Sequence, residues 1–160
     1  MDALDSEGYL LDVQRTFEKT CVCVASAAAE LDPEEDLDGW LVCRVIDAMN
    51  SLLRSDREEC RRGEMMDKWD ARYEFLIHLC GLEPGMTLAA SVAYNGLPKP
   101  CRDAFYALIM HKRSFPDCIA ERMGTQEDLV VRTRTAFKAL YGLLPMDGSE
   151  DPGSNETPDE

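Results

Sequence analysis

Arg132, Thr133, Arg134 and Lys138 follow Gln126 and Glu127 within one short stretch, and these are residue types that read nucleic acid. A guanidinium donates two parallel hydrogen bonds to guanine, a glutamine amide pairs with adenine, and Lys or Thr holds phosphate. Leu129, Val130, Thr133, Phe137, Leu140 and Leu144 recur there at three- and four-residue spacing. The stretch therefore reads as a helix with an apolar side and these groups on the other. Arg102, Lys112 and Arg113 lie just upstream and complete the candidate DNA-binding set of Gln126, Arg132, Thr133, Arg134 and Lys138. An ordinary helical hairpin with a solvated basic face has the same pattern, so the residues alone leave that alternative open.

Other chemistries find less material. The seven cysteines, at 21, 23, 43, 60, 80, 101 and 118, include no C-x-x-C and fall mostly inside apolar helical patterns. A reduced cysteine there acts as a small hydrophobe, and neither a disulfide framework nor a structural metal site is expected. His78 and Cys80 are two apart on one helical pattern, which points them to different faces. There is no P-loop, dinucleotide-binding glycine turn, H-E-x-x-H or nucleophile elbow, so no enzyme, cofactor or small-molecule substrate is expected. The acidic start MDALDSEG lacks the form of a signal peptide, and Cys21 to Ala29 is too short an apolar run to cross a bilayer. A cytoplasmic protein without membrane contact is the expectation.

Helices must position the basic residues. A stripe of Leu10, Val13, Phe17, Cys21, Val24, Ala28 and Leu31 makes a first helix that stops at Asp32-Pro33. A second starts near Asp38 and carries Trp40, Leu41, Val45, Met49 and Leu52. A third carries Met66, Trp69, Tyr73, Leu76 and Cys80 and closes at Gly81. A Met and aromatic stripe at this spacing packs a core, so Met65, Met66 and Trp69 are read that way, with an adaptable partner groove as the alternative. A short helix over Leu88 to Tyr94 ends at Asn95-Gly96, which reads as a left-handed stop. Pro98 then opens a helix with Cys101, Ala104, Phe105, Leu108 and Ile109 on one face. Ser114-Phe-Pro-Asp117 and Thr125-Gln-Glu-Asp128 are two cap-plus-acid starts close together, with Gly124 between them. A short helix, a tight turn and a longer second helix form a helix-turn-helix, whose second helix can enter a major groove.

Charge divides the chain. The net charge is −14, from 31 acidic and 17 basic residues, which excludes a protein that coats nucleic acid unselectively. Residues 97–145 alone are net positive, at +3, whereas 1–96 carry −11 and 146–160 carry −6. The expectation is an all-α protein of two small helical domains, the C-terminal one a helix-turn-helix. Its segments are a flexible N-terminus (1–8), a helical domain (9–80), a linker with a short helix (81–96), the helix-turn-helix (97–145) and a disordered acidic tail (146–160).

LPKPCRDAF, followed by IAERMG and a Val-Arg-rich amphipathic helix, resembles the C-terminal promoter-reading domain of bacterial sigma factors, in the extracytoplasmic-function class of the sigma-70 family. The matching residues are Leu97, Pro98, Arg102, Phe105, Ile119, Ala120, Glu121 and Gly124. Upstream and in the same order, Trp40-Leu41 with Leu53-Arg54, Arg57, Arg61 and Arg62 is similar to the sigma helix that faces the −10 element. Asp12-Val-Gln14-Arg-Thr-Phe17 looks like the polymerase-binding helix. The chain departs from the pattern in lacking the preceding helix, in Asp47 where Asn is usual, and in acidic neighbours Asp36 and Asp38. The resemblance implies core RNA polymerase and promoter DNA as partners, and an anti-sigma protein as a further one. It assigns polymerase contact to Asp12, Gln14 and Phe17 and −10 contact to Arg54 and Arg57, the latter against the plainer reading of a solvated helix end. A non-initiating regulator or decoy with the same surfaces is the alternative function.

Overall fold

Polar side chains just ahead of most of the helices set where they begin in the computed structural model, which describes residues 7–30 and 36–142. Asp12 accepts the backbone N–H of Arg15 at 2.7 Å and opens α1, Val13–Ala27. Asp36, not Asp38, caps α2, Leu37–Arg61. Asp38 instead sits in its first turn, where a carboxylate meets the positive end of the helix dipole. Asp70 accepts the N–H of Arg72 at 2.9 Å and opens α3, Ala71–Glu74, which runs on through a π-helical turn, Phe75–Leu79. The third helix thus starts later than its apolar pattern suggests, and Met66 and Trp69 lie outside it.

After a 3-10 turn, Pro84–Met86, come α4, Thr87–Asn95, and α5, Lys99–Phe105, itself prolonged by a π-helical turn, Tyr106–Met110. Ser114 caps α6, Phe115–Ala120, and Thr125 caps α7, Gln126–Leu140, both as the sequence indicates. No strand occurs among the described residues, and the fold is all-α. Asn95-Gly96 is no left-handed stop: Gly96 has φ −77°, and the Asn95 amide instead bonds the N–H and the carbonyl of Leu10, each at 2.8 Å.

Phe105, fully buried, is the centre of packing. Its ring meets those of Tyr94 at 5.1 Å, Phe137 at 5.3 Å and Phe75 at 6.4 Å, all edge-on. One apolar cluster accordingly runs from Leu10 through Leu76, Leu88, Tyr94 and Phe105 to Ala136 and Leu140. This cluster draws on both of the expected domains, and Leu82, Leu88, Ala90 and Tyr94 from the expected linker 81–96 sit inside it. Pro84 and Gly85 mark a tight turn between packed helices, a signal that sequence cannot distinguish from a link between domains. Residues 7 and 8 are also tied down: the Glu7 carbonyl accepts from Arg102 and the Gly8 carbonyl from Tyr94. The rest of the expected flexible N-terminus, the Asp32-Pro33 stop, Leu144 and the acidic tail lie outside the described residues.

Two features position the surfaces. A buried polar knot ties α2, α3 and α4 together. Arg72 donates to Asp56, Asp70, Ser91 and the Leu10 carbonyl, with only 4% of its side chain exposed. Burial alone would lower its pKa, but hydrogen bonds and charge from Asp70 and Asp56 more than reverse this, so it stays a cation. The other feature is an arm. Only Thr16 of α1 is buried, and the expected core stripe is exposed at Val13, Phe17 and Cys21. Leu37, Leu41, Val42 and Ile46 of α2 are exposed too. The apolar repeat was real, but α1 turns Thr16 and Thr20 toward cover, and of its stripe residues there only Val24 goes with them.

Candidate nucleic-acid interface

The basic unit is built by its caps. The Thr125 hydroxyl accepts the Asp128 N–H at 3.1 Å while the Asp128 carboxylate accepts the Thr125 N–H at 2.9 Å, a reciprocal box that starts α7. These hydrogen bonds hold the Asp128 carboxyl below the usual aspartate range. The turn from α6 uses left-handed backbone at Arg122, φ 61°, and φ 130° at Gly124. A Cβ on Gly124 would come within 3.1 Å of the Arg132 guanidinium and of Asp128 Cβ, so only glycine fits without adjustment.

Arg132 belongs to that turn. Its guanidinium reaches back and donates to the Met123 carbonyl, so it holds α6 and α7 together rather than facing outward. Side chains two apart on a helix diverge by about 200°, which is why Arg132 and Arg134 do not share a face. The expectation of a joint surface at 132, 134 and 138 is corrected to this extent. Arg134 and Lys138, four apart, do project together, and both are exposed. Neither has an ion-pair partner among the described residues. Their face also holds Glu127 and two valines, Val130 at 44% and Val131 at 63% exposure. Gln126 is exposed at the start of α7. Thr133 is half-buried, and its hydroxyl has no hydrogen-bond partner among the described residues. Beside it a groove of about 470 Å³ is lined by Leu108, Ile109, Phe115 and Phe137.

The remaining basic candidates separate. Arg102 is 5% exposed, stacks 3.9 Å from the Tyr9 ring centroid and donates to the Glu7 and Leu97 carbonyls. It is a structural clamp and is withdrawn from the DNA-binding set. Arg113 pairs with Glu121 across the start and end of α6, whereas Lys112 is exposed at a left-handed φ of 52°. Arg54 and Arg57 are exposed on α2, and Arg54 Nε donates to the Asn50 carbonyl at 3.3 Å.

At the other end, Asp12 is 5% exposed, its carboxylate taken by the N–H groups of Arg15 and Ala71, so it is withdrawn from the polymerase-facing set. Gln14, bonded to Glu18, is exposed, and Phe17 is 68% exposed. Sequence reasoning missed the two outward valines and the Arg72 knot. Val130 and Val131 had a visible signal, since residues three and four before Arg134 share its face, whereas the knot pairs distant residues and had none.

All seven cysteines are free. Among the described residues no group of His, Cys, Asp and Glu is arranged to hold a metal ion, and no helix is long and apolar enough to cross a membrane. No protein-family model matches the chain, and no curated protein or solved structure is significantly similar to it.

Proposed function

We propose that this chain is a sigma-factor-like transcription initiation protein. It docks on core RNA polymerase through the exposed apolar side of the α1–α2 arm and reads promoter DNA with the outward face of α7, the second helix of a helix-turn-helix. The observation that carries this reading is the pair Arg134 and Lys138, exposed together and without an ion-pair partner among the described residues, on the longer helix after a tight glycine turn. Two uncommitted cations at i and i+4 meet phosphate and base edges when a helix lies in a major groove. Phe17, with Val13 beside it on α1, supplies an uncovered apolar surface for a protein partner.

Charge sets the order of events. A chain of net charge −14 is repelled from DNA at long range, and two cations do not offset that. Polymerase bound to the arm supplies the missing affinity by tethering, which raises the effective concentration of α7 at the promoter. The protein performs no reaction of its own; its work is to bring the two partners together.

A second reading, a non-initiating regulator or decoy that binds polymerase, a sigma factor or an anti-sigma partner, is favoured by one observation. Asp36 at the cap of α2, and Asp38 and Asp47 within it, are exposed on the same helix that carries the basic residues assigned to promoter contact. Run-off transcription with host core polymerase tests both. A promoter-specific product that disappears on Phe17→Glu together with polymerase binding supports the initiator. Stable polymerase binding without product supports the decoy, and no binding to polymerase rejects both.

A further inference from the structure

Trp69 is 83% exposed and Met65 71%, although their spacing placed them in the core. They are held out rather than left loose. Met66 between them is 7% exposed and packs into the main apolar cluster, while Asp70 is anchored by Arg72 in the buried knot. The Trp69 backbone N–H donates to the Asp67 carboxylate at 2.9 Å. The backbone of 65–70 is thus anchored so that an indole and a thioether project outward, beside a cleft of about 430 Å³ formed with α1 and the end of α2.

The cleft wall carries six carboxylates: Asp12 and Asp70 are buried and already bonded and Glu59 pairs with Arg15, while Glu18, Glu64 and Asp67 are exposed at its rim. Two arginines also line it, and both are committed: Arg72 to Asp56 and Asp70, and Arg15 to Glu59 at 3.3 Å. Nothing from α7 lines it. An exposed aromatic face next to excess negative charge attracts a cation with an apolar stem. The ring already receives one from its own chain, since Lys68 Nζ lies 5.5 Å from the Trp69 centroid. A guanidinium suits the place better than an ammonium, because it stacks flat on an indole while donating two bonds to a carboxylate. DNA and acidic surfaces are disfavoured there by the same charge.

We propose that this cleft docks an arginine-bearing segment of a protein partner, one guanidinium stacked on Trp69 and its neighbours paired with the acidic wall. The site is separate from the DNA-reading face and does not depend on it. The test titrates an uncharged-ended octa-arginine peptide into the full chain at about 150 mM ionic strength, where long-range attraction is screened beyond about 8 Å. Octa-lysine and octa-glutamate serve as controls. Trp69 fluorescence in a Trp40→Phe background and backbone amide shifts in the native chain report binding. The expected result is tighter binding of octa-arginine than octa-lysine, with shifts confined to 12–18 and 59–72. Trp69→Ala, which alters an exposed side chain, weakens binding about five-fold, and Trp69→Phe restores most of it. Equal octa-arginine affinity in Trp69→Ala, or shifts spread across the acidic face at 36–47, overturns the proposal and assigns binding to net charge alone.

Discussion

Replacing Arg132, Arg134 and Lys138 singly by alanine separates holding from reading on α7. Arg132 donates a charge-assisted hydrogen bond to the Met123 carbonyl in a part-buried setting, and bonds of this kind contribute about 1.5–3 kcal/mol. For a chain of 160 residues, about 2 kcal/mol lowers Tm by roughly 4–8 °C. Arg134→Ala and Lys138→Ala remove exposed side chains with no partner and change stability by less than about 0.5 kcal/mol. DNA binding reverses the ranking. If Arg134 reads a base its loss costs about 1–3 kcal/mol, and if Lys138 holds a phosphate its loss lowers the salt slope by about one. Calorimetry measures the first effect. Fluorescence anisotropy of a promoter duplex in the presence of core polymerase, over a range of salt, measures the second. Should Arg132→Ala leave Tm unchanged and abolish binding while the other two bind normally, α7 faces DNA with its opposite side and the assignment fails.

Two further outcomes concern stability. Arg72→Met leaves Asp56 and Asp70 buried with only the part-exposed Arg15 beside them, at 3.6 and 4.0 Å, and breaking such a group costs about 3–5 kcal/mol, read as a fall in urea midpoint at unchanged slope; a loss below about 1 kcal/mol would show that the knot does not bind α2, α3 and α4. The Asp128 carboxyl is held below its ordinary 3.8 by hydrogen bonds from Thr125, so its contribution is complete above that value and fades as pH falls through the lower folded one. Asp128→Asn removes this dependence, which far-ultraviolet circular dichroism during acid titration detects as a flatter loss of helix.

The sequence disclosed helices far better than it disclosed their surroundings. Ser114 and Thr125 cap through bonds that span three residues, and such local geometry is written in adjacent letters. The α1 stripe misled because period shows that a face is apolar but not that anything covers it, and Phe17 is open. Trp69 misled for a related reason: the helix it was assigned to begins only at Ala71, after the Asp70 cap. The Arg72 knot joins residues 16 and 19 positions away, and neither motif nor period reports a pairing of that kind. Arg102 and Asp12 were charged groups read as surface. Each is instead satisfied inside by backbone groups that only the folded chain brings to it.

Of the eight letters behind the C-terminal resemblance to sigma factors, half hold the unit together. Leu97, Arg102 and Phe105 are buried, and Gly124 makes the turn that Arg132 closes. None of these can choose a DNA sequence. In the proposed function, selection falls to positions 126, 127, 130, 131, 134 and 138, of which two are valine. An apolar side chain on a reading face cannot hold phosphate, but it packs against the methyl group of thymine. Val130 and Val131 therefore give the proposed promoter contact a preference for thymine beside the base or phosphate met by Arg134. Deoxyuridine in place of thymine deletes that methyl and nothing else, and each contacted position should lose about 0.8 kcal/mol, close to four-fold in affinity. Duplexes chosen from a random pool in the presence of polymerase, then resynthesised with deoxyuridine, measure this directly. Unchanged affinity at every thymine would leave the valines without a part in recognition, while Val131→Ala with a matching loss on thymine but not on deoxyuridine would assign the contact to that side chain.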